Sequence, residues 1–505
     1  MRTISKIIVI CYVCFSCAGT TVDTSSSSAN PVYTYVVNEQ KTYQTIEHFG
    51  ASDAWSCQFV GNWPIPKKNA MADLLFSQEM DGKGNPKGIG LSIWRYNLGA
   101  GSADQGVGSG IGDAWRRGQS FLQADGSYDW SAMSGQVWFA KAAKERNVEK
   151  LLLFCNSPHV SMTRNRKAYS DSGSTSNLEE SRYDDFADYL VKSVEGMSQM
   201  GLEVDYISPV NEPQWDWADG GQEGTPFWNH EIAGIARVLN QQLQTKDLTI
   251  KIDIAEAAQL NFLYEQADKP GRASQLGAFF DSNSENYLGN LSHISKAVSG
   301  HSYFTTSPKD KLWSVREQLS QASTGVDFWM SEYCILGGND GEIDGNGRDL
   351  GMTPALYMAK VIHADLTVAN AAAWHWWLAI SPYDYKDGLI YIDKNQNDGT
   401  YSESKMLWTL GNYSRFVRPG YVRMDVQTKN SPLLVSAYKS PDGNKSVVVV
   451  INTTPQAQEV DFTIPGKNLR EVYVTSDTED LALQTLENDE QLSISARSVT
   501  TFIFE

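Results

Sequence analysis

Between about residue 45 and residue 400 the chain repeats one pattern: a short β-rich segment, a loop, a helical stretch, then the next β segment. Candidate strands are Thr45–Ala51, Ile89–Tyr96, Lys150–Asn156, Val204–Asn211, Ile250–Glu256, Ala297–Tyr303, Val326–Tyr333 and Ala371–Leu378. Ser134–Arg146, Tyr183–Met200 and Asn229–Leu243 carry apolar residues three and four apart, the period of a helix with one buried face. Strands that alternate with helices pair in parallel, because a helical crossover returns the chain to the sheet in the same direction. Eight such units predict an α/β fold with a closed (β/α)8 TIM barrel over residues 45–419. A doubly wound open sheet also alternates, but no glycine fingerprint opens a helix after the first strand.

After Pro419-Gly420 the texture changes to short alternating segments separated by turn residues. Tyr421–Val426, Leu433–Tyr438, Ser446–Ile451, Gln458–Ile464, Glu471–Thr475 and Gln491–Phe504 read as strands, with Pro441-Asp442-Gly443-Asn444 as a hairpin turn. A fused C-terminal β-sandwich is expected over residues 420–505, with the strand-like residues 32–44 joining it.

The first residues read as an address. Arg2 and Lys6 precede the apolar run Ile7–Phe15, and Ser16-Cys17-Ala18-Gly19 follow, the parts of an export signal over residues 1–17. The run is too short to span a bilayer. Cys17 resembles a lipoprotein cysteine, which predicts an exported chain held to the cell envelope by lipid, with simple secretion as the alternative. Residues 18–31, with four consecutive serines, read as a tether. Beyond Cys17 only Cys57, Cys155 and Cys334 remain, an odd number with no CxxC pair, so buried free thiols are preferred to a single bridge.

Composition narrows the partner. Lys+Arg 42 against Asp+Glu 60 give a formal charge of -18, the wrong sign for gripping a polyphosphate, so nucleic acid is not expected. Trp 15, Tyr 23 and Phe 18 suit a cleft that takes flat, apolar faces, in a chain expected to be a monomer. No HExxH or similar cluster occurs among the seven histidines, so neither a metal nor any other cofactor is expected.

In a barrel of this kind chemistry sits at the C-terminal ends of the strands. Those ends carry Asp53, Arg95, Asn156, Asn211-Glu212, Glu256, His301, Tyr303 and Glu332, followed by a tryptophan cluster. A core strand ending in a carboxylate needs a reason, since an unpaired buried charge is expensive. Glu212 in Ser208-Pro209-Val210-Asn211-Glu212-Pro213 and Glu332 in Trp329-Met330-Ser331-Glu332-Tyr333 close the fourth and seventh strands. Two facing carboxylates are the minimum equipment for cleaving a glycosidic bond, one donating a proton and the other attacking the anomeric carbon. A lone glutamate is more often a solvated surface residue; the coincidence of two strand ends raises these above it.

These residues bring the chain to a resemblance. It resembles glycoside hydrolase family 30, retaining (β/α)8 enzymes with a fused β-sandwich, from about Glu47 to the C-terminus. The matching motifs are His48-Phe49-Gly50-Ala51-Ser52-Asp53-Ala54-Trp55, Asn156-Ser157-Pro158, Asn211-Glu212-Pro213, His301-Ser302-Tyr303, Ser331-Glu332-Tyr333 and Ser414-Arg415-Phe416-Val417-Arg418-Pro419-Gly420. The resemblance implies Glu212 as acid/base and Glu332 as nucleophile. It further implies a substrate-binding set of Asp53, Trp55, Arg95, Asn156, Asn211, Trp215, His301, Tyr303 and Trp376. In that set Asn211 would bind the sugar 2-hydroxyl, Arg95 and Tyr303 would orient Glu332, Asp53 would grip hydroxyls and Trp376 would floor the subsite. Arg95 as a plain buried ion pair and His301 as a core histidine are the structural alternatives. Trp374 and Trp377 fit packing and subsite equally and are left out of the set, and Glu256 is read as a supporting or loop charge. The resemblance lapses at His159-Val160-Ser161-Met162-Thr163-Arg164-Asn165, where many relatives carry a tryptophan.

Asn211-Glu212-Pro213-Gln214-Trp215-Asp216-Trp217, with Gln222-Glu223-Gly224-Thr225, resembles the endo-β-1,6-galactanase branch of the family. The expectation is therefore a retaining endo-β-1,6-galactanase acting on galactan or arabinogalactan side chains. The alternatives are a β-1,6-glucanase, a xylanase or an exo-β-glycosidase. A surface glycan-binding protein on an inactive barrel is the non-enzymatic alternative, and the presence of both glutamates argues against it.

Overall fold

The computed structural model describes residues 31–323, 325–486 and 491–505. The expected leader, Cys17 and nearly all of the tether lie outside these residues. Among the described residues no helix is long and apolar enough to cross a membrane.

Strand β1 (Val32–Thr45) belongs to the C-terminal sheet, and the next eight strands build the barrel. They are β2 (His48–Ser52), β3 (Ile93–Asn97), β4 (Lys150–Phe154), β5 (Tyr206–Ser208), β6 (Lys251–Ala257), β7 (Ile294–His301), β8 (Asp327–Glu332) and β9 (Ala371–Ser381). Each pairs in parallel with the next, and β9 closes the ring by pairing with both β8 and β2. All eight overlap the expected segments, and the differences lie at the ends. The fourth stops at Ser208 because Pro209 has no N–H to give a ladder, which frees Asn211 and Glu212 to turn over the rim.

The helices follow their apolar stripes. Tyr183–Gln199 buries Tyr183, Phe186, Ala187, Leu190, Val191, Val194 and Met197; Asn229–Thr245 buries Ile232, Ala233, Ile235, Ala236, Leu239 and Leu243. The two pack side by side against the barrel. One extension was not legible in the sequence: Gly388–Ile392 pairs with the far end of β9, and Tyr401–Glu403 pairs with it in turn.

The C-terminal strands run in one hydrogen-bonded order in which β1 lies between Val422–Gln427 and Gln458–Thr463. Phe462 and Phe502 belong to strands with four others between them, yet their rings lie 5.1 Å apart. The sheet therefore folds face to face over a core of Tyr35, Val37, Val448, Val450, Val460 and Phe502. The segment expected as one strand, Gln491–Phe504, is two: Leu492–Ile494 on an edge and Ser498–Phe504 inside the sheet. Arg497, in left-handed backbone at φ +48°, turns the chain between them.

Candidate active site

Glu332 is the last residue of β8, and Glu212 lies four residues beyond β5. Glu212 sits in left-handed backbone at φ +43°. Its peptide nitrogen donates to the Glu256 carbonyl (2.9 Å), and its own carbonyl accepts the Trp217 indole N–H (3.1 Å), which together hold that conformation. Carboxylate oxygens of Glu212 and Glu332 lie within 4.8 Å of each other, across the mouth of a cleft of about 690 Å³ that both line. Retaining glycosidases keep their two carboxyl groups about 5–5.5 Å apart, whereas inverting ones leave room for a water between them.

Beneath these acids lies a buried charge cluster. Arg95 donates from Nη1 to Glu332 Oε2 (2.5 Å) and from Nη2 to Glu256 Oε1 (3.1 Å) and Asn211 Oδ1 (3.2 Å), with its guanidinium 3.7 Å from the centre of the Phe154 ring. Tyr303 donates its hydroxyl to Glu332 Oε1 (3.1 Å). His301 spans two carboxylates, Nδ1 to Glu212 Oε1 at 3.0 Å and Nε2 to Glu256 Oε2 at 2.7 Å. Burial would push this ring down, but Glu332, Glu212 and Glu256 outweigh it and raise it to about 10. Burial raises the Glu212 carboxyl above the usual range, against the pull of His301. Glu256 goes the other way: burial is overcome by Arg95 and His301, which hold it ionised.

Glu212, His301 and Glu332 offer ligand atoms close enough for a metal ion. The donor chemistry does not fit one, because both His301 nitrogens are committed to carboxylates and an imidazolium has no lone pair to give.

The expected substrate residues divide. Trp55, Asn211, Trp215 and Tyr303 line the cleft with the two glutamates. Arg95 and His301 are fully buried directly below. Asp53 is buried beside the cleft and spends its carboxylate on the Asn97 N–H (2.7 Å) and Gln136 Nε2 (3.2 Å). It ties the end of β2 to the end of β3, and burial lifts it to about 7. Asn156 is buried too, and among the described residues neither of its side-chain polar atoms has a partner.

Trp376 is not the floor of the cleft; Trp377 lines it instead. Alternate residues of a strand face opposite sides. Trp374 donates to Asp365 of the helix Met352–Thr367, so it faces the helices, and Trp376, two residues on, stacks on it at 6.1 Å. Trp377 therefore faces inward, edge-on to Trp55 at 5.3 Å. The period-two rule applied from Trp374 could have found it.

Arg116, Trp217 and Asp387 also line the cleft. Glu223 turns away from the cleft and binds Ala100 N (3.0 Å), Ser102 Oγ (2.5 Å) and Gly118 N (3.2 Å), fastening two loops behind the wall. His159 is buried against Gly101 and bonded to Ser161 (2.8 Å), whereas Arg164 of the same segment is exposed. Cys57, Cys155 and Cys334 are free and buried.

A closed parallel barrel with two opposed glutamates at its C-terminal rim is the apparatus of a glycoside hydrolase. The chain belongs to O-glycosyl hydrolase family 30: residues 32–391 match that family, and residues 420–502 match the glycosyl hydrolase family 30 beta sandwich domain. A conserved exported protein from Bacteroides fragilis is 33% identical, with TM-score 0.87 over 93% of this chain and 100% of that one. Glucuronoxylanase XynC from Bacillus subtilis is 29% identical over 194 residues, 37% of this chain and 41% of the relative. The catalytic domain of a xylanase from Talaromyces cellulolyticus shares the fold at 21% identity, with TM-score 0.69 over 94% of this chain and 100% of that one.

Proposed function

We propose that the protein is a retaining O-glycoside hydrolase that cleaves β-linked polysaccharide by double displacement. The observation that carries this reading is the separation of the Glu212 and Glu332 oxygens, within 4.8 Å across one cleft. Glu332, ion-paired to Arg95, attacks the anomeric carbon; Glu212, raised by burial, protonates the leaving oxygen and then takes a proton from the incoming water. Tyr303 orients Glu332, and Asn211, whose Oδ1 is engaged by Arg95, offers its amide N–H groups to the sugar 2-hydroxyl.

The preferred substrate is a β-1,6-galactan, as in arabinogalactan side chains. Trp215 and Trp217 flank Glu212 in the cleft, where a leaving-group sugar would stack. Glucuronoxylan is the second reading. It is favoured by the Arg116 guanidinium in the cleft wall, a partner for a uronate, and by the partial match to a glucuronoxylanase. The enzyme is read as exported, as its Bacteroides relative is described, with Cys17 as its lipid attachment site and with no nucleic-acid or protein partner needed by the site. A product profile on β-1,6-galactan, β-1,6-glucan and glucuronoxylan tests the substrate. Release of galactose oligomers supports the first reading, and acidic xylooligomers with an intact galactan would replace it.

A further inference from the structure

Glu256 takes no part in the chemistry assigned above, is fully buried at the end of β6 and does not line the cleft. Yet it binds more of the cluster than either catalytic acid. Its Oε1 accepts from Arg95 (3.1 Å), and its Oε2 accepts from His301 (2.7 Å) and the Ser331 hydroxyl (2.6 Å). Its backbone, at φ +49°, presents the carbonyl that receives the Glu212 peptide N–H. We propose that Glu256 is a positioning residue: it accepts the second N–H of His301, and its fixed negative charge makes one proton on Glu212 interchangeable with one ester on Glu332.

The charges carry the argument. At rest Arg95 and His301 are cationic, Glu256 and Glu332 anionic, and the cluster is neutral only if Glu212 holds a proton. In the first step a Glu332 oxygen forms a bond to the anomeric carbon while the glycosidic C–O bond breaks. The bonding pair leaves with the glycosidic oxygen, which takes the Glu212 proton. The ester is uncharged and Glu212 is now the anion, so the cluster is neutral again. In the second step water attacks the anomeric carbon, gives its proton to Glu212 and releases Glu332 as a carboxylate. His301 Nδ1 stands 3.0 Å from Glu212 and 3.7 Å from Glu332, close to whichever of the two is charged. Without Glu256 the same exchange would start from a net positive site, which holds the acid proton less firmly.

The other titratable groups facing Glu256 do not supply this charge. Asp253, on the same strand, is pushed strongly up by burial and by Glu256 itself, toward its uncharged form. His375 on β9 is pushed down to about 3 by burial and then by Arg95, and its bonded neighbour His48 on β2 is lowered by burial as well, so both are neutral. Arg95, His301, Glu212 and Glu332 are the charges already counted.

This inference rests on the retaining reading, and the experiment separates the two. The kcat/KM pH profile is measured on whichever polysaccharide of the panel the wild type cleaves. Glu256→Gln keeps the shape and removes the charge, so the alkaline limb, where Glu212 loses its proton, should move about one pH unit lower. Glu256→Asp keeps the charge and should leave the limb near its wild-type position. A Gln variant that is slower at every pH with an unmoved limb would overturn the proposal. Should the Gln variant not fold, nitrogen-15 NMR of the unsubstituted enzyme decides. One imidazole protonated at both nitrogens at about pH 8 is expected, and none overturns the proposal. The anomer released by the wild type tests the mechanism itself. Inversion removes both readings, whereas retention with an unmoved limb removes only the role of Glu256.

Discussion

At the scale of single residues, Glu212 and Glu332 differ in surroundings more than in position. Glu332 is braced by Arg95 and Tyr303, contacts that suit the proposed nucleophile; Glu212 meets His301. Glu332→Gln should lower turnover of polysaccharide by about 10³-fold or more while the circular dichroism spectrum stays native. Glu212→Ala should lose about 10²–10⁴-fold on polysaccharide and far less on dinitrophenyl glycosides, whose leaving group needs no proton. Added azide should rescue Glu212→Ala as a β-glycosyl azide; an α-azide from that variant would exchange the two roles. Arg95 joins two buried carboxylates, so Arg95→Met strands both and should cost about 3–5 kcal/mol in urea unfolding. Both proposed catalytic glutamates were legible because each sits in a polar motif at the rim, Glu332 closing its strand and Glu212 four residues past the end of another. Glu256, next to last in its strand, lies at the same rim, and its importance was not legible. What separates a reacting acid from a counter-charge is which charges surround it in space, and those come from four other strands.

At the scale of elements, strand periodicity found the barrel and stopped at its rim. All eight strands carry their apolar runs in sequence, and all three marked helices bury the stripes their spacing shows. Which face of a rim residue meets the cleft depends on local register. Trp376 and Trp377 are adjacent and chemically alike, yet the indole of Trp376 donates to the Asp387 carbonyl inside the wall and only Trp377 reaches the cleft. Trp376→Ala should therefore cost about 3–5 kcal/mol of stability. Trp377→Ala should instead raise KM for polysaccharide, with the smaller loss in a thermal melt; the reverse pattern would contradict the assignment. Asp53 misled for a related reason: a carboxylate at a strand end suits a sugar hydroxyl and a neighbouring peptide N–H equally, and here the peptide has it. The strand Gly388–Ile392, which carries Asp387 to the cleft, is short and lies where the barrel pattern has already ended.

At the scale of the whole molecule, barrel and sandwich share one core. Tyr438, Val447, Val449, Ile451, Tyr473 and Ile503 of the sandwich belong to the same buried cluster as the barrel strands. Asn412, on the last barrel-side helix, exchanges hydrogen bonds with Thr501. Strand β1 lies in the sandwich before the chain enters the barrel, so the sandwich holds the barrel by both ends. Deleting residues 420–505 should leave an insoluble barrel, and the full chain should melt in one calorimetric transition; two well-separated transitions would contradict a shared core. The whole arrangement places two carboxyl groups too close for a water between them. Proton NMR of the first sugar released from a cleavable β-linked polysaccharide tests that directly: the β-anomer should appear first and then mutarotate, and an α-anomer at the earliest time would contradict double displacement by Glu332 and Glu212.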